Sequence, residues 1–231
     1  MKKLSLLVIF MLVNGWLFAQ SEIGFFGGYN YSQLNFKGEK LNNNSESHNT
    51  FIIGLDYKIK TEKLIHFGAS LNFLAKSFDL NTEAIHPGSY YNNTKYNLDI
   101  VSMDIFPEIS FGKKVKVFVN AGPSIGFIIK SKKDGVIRFN SLGADHFEVQ
   151  SGSASSDFHG IDFGIRSAIG ISYPVSKMVS VYLETRYTYG LTDLGQAKYF
   201  YYGDFCTAMN TKNIFAIVGI HYLIGSDINK K

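Results

Sequence analysis

Glu184 and Arg186 stand two residues apart in a stretch where nearly every second residue is apolar. A carboxylate beside a guanidinium can hold an ion pair, orient a ligand or move a proton. The same alternating setting recurs at Asp56, Lys58, Asp104, Glu108, Lys116, Asp162 and Arg166, so acids and bases nearly balance. Charges on one face of a sheet that closes on itself must be paired, because an unpaired buried charge is costly. The pattern predicts an ion-pair network of Asp104, Glu108, Asp162, Arg166, Glu184 and Arg186, with Glu108, Glu184, Arg166 and Arg186 at its centre.

Other groups resemble catalytic signatures. Gly122-Pro123-Ser124-Ile125-Gly126 has the G-x-S-x-G spacing, but a nucleophile elbow needs a sharp strand-to-helix turn, and here the pattern lies inside an alternating strand. His66 and His221 face the same way as the charges, and hydrogen bonds to that network are their expected role. His48, His86, His146 and His159 show no metal-ligand spacing. Ser156 and His159 can be drawn as the pair of a lipid-modifying hydrolase, as can pairs in any polar loop. The reading is therefore non-enzymatic, with no cofactor and no metal.

The elements that position these residues are strands. In 178–191, Val179, Val181, Leu183, Thr185, Tyr187, Tyr189 and Leu191 share one face, and Ser180, Tyr182, Glu184, Arg186, Thr188 and Gly190 share the other. Similar alternation predicts strands at 23–34, 50–60, 64–78, 98–111, 115–130, 157–173 and 213–224. A bulge fits near Ile100-Val101, and Pro107 removes a donor from its ladder. The connections alternate between long polar loops (37–49, 79–97, 131–156, 192–211) and tight turns (61–63, 112–114, 174–177).

The start of the chain indicates export. Lys2 and Lys3 precede an apolar run from Leu4, and Leu17-Phe18-Ala19 ends in a small residue. This is the layout of a signal peptide spanning 1–19, with cleavage before Gln20. No second apolar run is long enough for a membrane helix. The lone Cys206 cannot form an internal disulfide, and a net charge of +4 without a basic, aromatic-interleaved run gives no nucleic-acid signature.

An even count of strands, alternating loop lengths and an oily face opposite a charged one together predict an all-β fold. It is an eight-stranded antiparallel up-and-down transmembrane β-barrel of the outer-membrane type, filling 20–231 as one domain. The oily face meets outer-membrane lipid and the charges fill the lumen. Tyr57, Phe111, Tyr173 and Tyr222 at one rim, with Tyr31, Phe73, Phe127 and Tyr189 at the other, would form aromatic girdles. A small pore is the main alternative function. A soluble lipocalin-like carrier would invert the facing.

Two stretches resemble a known family. They are Asp104-Ile105-Phe106-Pro107-Glu108 through Phe118-Val119-Asn120-Ala121-Gly122-Pro123, and Tyr182-Leu183-Glu184-Thr185-Arg186-Tyr187-Thr188-Tyr189-Gly190-Leu191. Both are similar to PorT-like outer-membrane β-barrels of the porin family. The resemblance implies an outer-membrane barrel without catalytic residues, and an envelope or secretion-system protein as partner. The loop aromatics Tyr90 and Tyr91, and above all Tyr199, Phe200, Tyr201 and Tyr202, are candidates for such a contact.

Overall fold

In the computed structural model, the structure describes residues 20–37, 44–61, 64–84, 90–141, 144–195 and 208–224. Ten strands are present among the described residues: β1 (Gln20–Lys37), β2 (Asn44–Ser47), β3 (Asn49–Lys60), β4 (Ile65–Ala84), β5 (Tyr90–Phe111), β6 (Lys116–Ser141), β7 (Ala144–Ser153), β8 (Ile161–Pro174), β9 (Val179–Gly190) and β10 (Ala208–Ile224). Eight of them form a closed antiparallel wall in the order β1-β3-β4-β5-β6-β8-β9-β10, and β10 pairs back onto β1 from Ser21↔Ile224 to Lys37↔Ala208. Closure leaves no wall strand with an open edge, which a bilayer requires because lipid offers no partner to a bare amide.

Alternation fixes which face of each wall strand is buried. β8 reads exposed at Ile165, Ile169 and Ile171 and buried at Gly164, Arg166, Ala168 and Gly170. β9 buries Tyr182, Glu184 and Arg186 and exposes Val181, Leu183 and Thr185. Outward residues such as Phe25, Ile105 and Val218 are more than half exposed, whereas Arg166 is 0% exposed and Arg186 1%. Such an exterior would be insoluble in water and is suited to acyl chains.

Two local features of β5 and β6 depart from regularity. Their register shifts between Asp99 and Ile100, where Asp99 faces Lys130 but Ile100 faces Ile128; the irregularity lies beside the expected place, but the extra residue is Ile129 of β6, and β5 keeps its alternation through Ile100-Val101. Pro107 is accommodated in the strand and pairs with Phe67 of β4. The inward Gly122 lies against the backbone of Ile105 so closely that a Cβ would collide with its carbonyl oxygen.

The polar segments expected as long loops are in large part strand. β4 and β5 continue as a ladder to Ala84↔Tyr90, β6 and β7 pair from Lys132↔Ser153 to Ser141↔Ala144, and β2 joins the upper part of β4. Above the wall these strands form a sheet in the order β2-β4-β5-β6-β7. Most of its residues are polar, so little period-two hydrophobicity marks it in the sequence, although Phe78, Thr94 and Tyr96 are buried beneath it. The last wall segment before the final turn starts at Ile161, not at 157, because Asp157 and Phe158 turn inward over the mouth.

Nitroxide labels test the facing. Labels at Val181 and Leu183 should be accessible to oxygen and shielded from a water-soluble nickel reagent in bilayers, and labels at Ser180 and Thr188 should show the reverse.

Candidate functional site

The lumen is filled in layers. At its centre the Arg166 guanidinium donates from Nη1 to Asp104 Oδ2 (3.1 Å) and Ser70 Oγ (3.1 Å), and from Nη2 to Asn120 Oδ1 (3.0 Å) and Glu184 Oε1 (3.4 Å). Arg186 Nε donates to Glu184 Oε1 at 2.7 Å, and its Nη1 donates to Asn72 Oδ1 and lies 3.6 Å from Asp104 Oδ2. Two arginines thus face two acids, and the set is neutral. Asp104 also accepts from Ser70 Oγ and Asn72 Nδ2, both at 3.0 Å. Each guanidinium plane also has an aromatic neighbour: Phe106 lies 4.1 Å from Arg166 and Phe26 5.0 Å from Arg186. The inward Phe26 and Phe106 occupy space that Gly54 and Gly68 leave free; a Cβ at Gly54 would run into the Phe26 ring, and one at Gly68 into the Phe106 ring.

Glu108 does not pair with the arginines. Its Oε2 accepts from Lys58 Nζ at 2.6 Å, and it reaches Arg166 only through Asn120, whose Nδ2 donates to it at 3.4 Å. The Lys58 stem and ammonium lie over Phe118, 4.8 Å from the ring centroid, which places the charge beside Glu108 and leaves Asp104 to the arginines. Asp162 is likewise separate from the central four. It accepts from Lys76 Nζ at 3.1 Å and from Thr211 Oγ1 at 3.2 Å, nearer the outer mouth. Asp56 forms a further group: Tyr182 Oη donates to it at 2.7 Å, and His221 stacks on the Tyr182 ring at 4.3 Å with Nε2 3.5 Å from the carboxylate.

Above the charges the lumen is capped. Phe78, Tyr96 and Phe158 pack mutually, with centroids 5.3 to 6.1 Å apart. Ala154 and Leu194 are fully buried beside them. Phe158 bridges to Gly195, and His159 N donates to Leu194 O, tying the segment down. Between cap and network, a cavity of about 30 Å³ lies beside Lys76, Asp162 and Arg186, enough to hold ordered water.

The other candidates fall apart as sites. Ser124 remains in β6, opposite Asp104 and Gly164, with no helix after it. Ser156 Oγ donates to Asp157 Oδ1, and no hydrogen bond between Ser156 and His159 is present among the described residues. His66 is bonded to Ser110 Oγ and accepts from Thr61 N, apart from the His221 group. Among the described residues no group of three or more His, Cys, Asp or Glu is arranged to hold a metal ion. Tyr199, Phe200, Tyr201, Tyr202, Cys206 and residues 1–19, read above as a signal peptide, lie outside the described residues, as do the side chains of Tyr90 and Tyr91.

The rim aromatics all lie on the outward face. Tyr31, Phe111, Phe127, Tyr173 and Tyr222 are exposed, and Tyr57, Phe73 and Tyr189 are half-buried. Register puts Tyr57 and Tyr222 on either side of Ile23, and Phe73 and Phe127 on either side of Val101.

Sequence reading missed the roles of Lys58, Lys76, Tyr182 and the Phe78-Tyr96-Phe158 cap. Lys58, Lys76 and Tyr182 were legible as inward residues, but Phe158 had no strand pattern to mark it.

A closed wall of eight strands, oily outside and charged within, defines an outer-membrane β-barrel. The sequence matches the outer membrane protein beta-barrel domain family over residues 18–196, and the chain belongs to that family. Among solved structures it is similar to Neisserial surface protein A (NspA), with 13% identity, a TM-score of 0.49, and coverage of 87% of this chain and 96% of that one. It is similar to OprG from Pseudomonas aeruginosa at 8% identity and TM-score 0.49, covering 89% and 97% of the two chains. Ail of Yersinia pestis, in complex with the heparin analogue sucrose octasulfate, is similar at 13% identity and TM-score 0.42, covering 89% and 99%. No curated protein matches the sequence. A soluble lipocalin-like carrier is set aside, because the interior holds paired charges rather than an apolar cavity and the family is one of the outer membrane.

The network makes a stability prediction. Asp104→Asn keeps the shape and leaves two buried guanidinium groups facing one carboxylate. Losing one partner of a buried pair costs about 3–5 kcal/mol. Urea unfolding in detergent micelles, followed by circular dichroism, should show a loss of that order for Asp104→Asn and a smaller one for Lys133→Gln at the outer rim.

Proposed function

We propose that this protein is a non-enzymatic outer-membrane barrel that presents a rigid surface sheet to a protein partner and does not conduct through its lumen. The observation that carries this is the neutral Arg166-Asp104-Glu184-Arg186 network, roofed by the Phe78-Tyr96-Phe158 cap and floored by Lys58-Glu108 and Tyr182. A strip of this length without room for a hydrated ion favours structure over transport. The engagement of Ser156 Oγ with Asp157 supports the non-enzymatic reading over a hydrolase.

The contact surface in this reading is the sheet above the wall. There Val136, Phe147 and Val149 stand exposed on one face of the β6–β7 hairpin, with Val149 73% exposed. Apolar residues so far beyond the lipid-facing wall mark a contact. The resemblance to PorT-like barrels suggests an envelope or secretion assembly as the setting, with Tyr199 to Tyr202 adding to the contact. In the same reading, residues 1–19 are removed on export and the rim aromatics sit at the lipid headgroups.

Planar-bilayer recording separates this from a pore. The purified barrel should give no steady single-channel openings at moderate voltage and salt, and steady openings of uniform size would overturn the plugged-lumen reading.

A further inference from the structure

The tight-turn end of the barrel opens into a blind cup of about 310 Å³. Its floor is the Lys58–Glu108 pair with Phe118 and His221, so it leads nowhere and serves binding, not passage. Its charge is uneven. Lys58, Lys60, Lys113, Lys116 and Lys177 line it, against the acids Glu22 and Glu108. Both acids already have lysines, since Lys60 pairs with Glu22 and Lys58 with Glu108. Among the described residues, Lys113, Lys116 and Lys177 have no acid partner.

These three lysines come from the β5–β6 turn, the start of β6 and the β8–β9 turn, and the one acid that these elements bring to the cup, Glu108 of β5, is already paired with Lys58. The same sector supplies hydroxyls. Ser172 faces Lys116 across the β6–β8 ladder, and Ser180 faces Pro174 across the β8–β9 ladder. Ser176 Oγ already accepts from the amides of Met178 and Val179, so its hydrogen is free to donate. Ammonium groups and hydroxyl donors lining one recess large enough for a small ligand suit a group with several acceptor oxygens and more than one negative charge. Low-dielectric walls around like charges also concentrate such an anion at the mouth.

The geometry points to this cup as a binding site for a phosphate-bearing ligand, approached from the turn end and held by Lys113, Lys116 and Lys177 with Ser172, Ser176 and Ser180. Two sources offer that chemistry: a soluble phosphate ester, or the headgroup of an anionic phospholipid in the adjacent leaflet. Neither involves the outer sheet, so the site stands independently of the function proposed above.

Inorganic pyrophosphate titrated into the full mature barrel in detergent, followed by calorimetry, tests the site. Wild type should bind with a sub-millimolar dissociation constant that weakens as sodium chloride is raised. The triple variant Lys113→Gln, Lys116→Gln, Lys177→Gln should bind at least about tenfold more weakly, each lost charge-assisted bond contributing to that factor. These side chains are exposed or half-exposed, and an unchanged circular dichroism melt confirms that the variant folds. A charge-matched variant at the opposite rim, Lys95→Gln, Lys130→Gln, Lys132→Gln, should keep wild-type affinity. Absence of binding by wild type, or equal weakening by the two variants, overturns the proposal. Repeating the titration in nanodiscs identifies the source: loss of pyrophosphate binding when phosphatidylglycerol replaces phosphatidylcholine assigns the cup to a lipid headgroup, and retained binding assigns it to a soluble ester.

Discussion

The fold depends on charge neutralisation in a space too narrow for water to do the work. Arg166 and Arg186 are essentially without solvent contact, and moving two guanidinium groups from water into such a site costs several kcal/mol each before any partner is counted. Asp104 and Glu184 repay that cost because each touches both arginines, and because Ser70, Asn72 and Asn120 occupy positions that a lone ion pair would leave empty. The four charges come from β5, β8 and β9, so the network also acts as a cross-brace from β5 to β8 and β9, with which β5 shares no ladder.

Everything on the inward face follows from making room for that brace. The glycines on the inward rows stand opposite large side chains: Gly54 opposite Phe26, Gly68 opposite Phe106, and Gly170 opposite Phe118. The rings in turn cover the flat faces of the cations or carry their stems, as Phe118 does for Lys58. Outside, the exchange is reversed. Ile, Leu, Val and Phe are left bare because lipid solvates them, and the wall needs no second layer.

The facing of nearly every wall residue could be read from the sequence, because a period of two with different solvents on the two sides is a strong signal. Val181 outside and Glu184 inside is one example. Pairing was harder to read. Phe106 shows that Asp104 and Glu108 lie one inward step above and below the level of Arg166, so spacing alone does not choose between them. The choice follows from strand tilt and from Lys58, two strands away, which takes Glu108 first. The extent of β4 to β7 above the lipid was illegible for a different reason. Stretches such as Asn92-Asn93-Thr94 are polar at every position and so show no hydrophobic alternation, although Thr94 is buried. The inward turn at Phe158 is a tertiary event, set by the aromatic pair Phe78 and Tyr96 that waits for it.

The seam between β1 and β10 has one more implication. The first and last wall strands are each other's neighbours, with Ile23 beside Tyr222 and Tyr31 beside Ile214. A ribosome must therefore finish the whole polypeptide before the cylinder has any means of shutting. Until then two raw borders stay without ladder partners. A premature stop anywhere before the final strand would cost the molecule its entire enclosure, not merely its last segment.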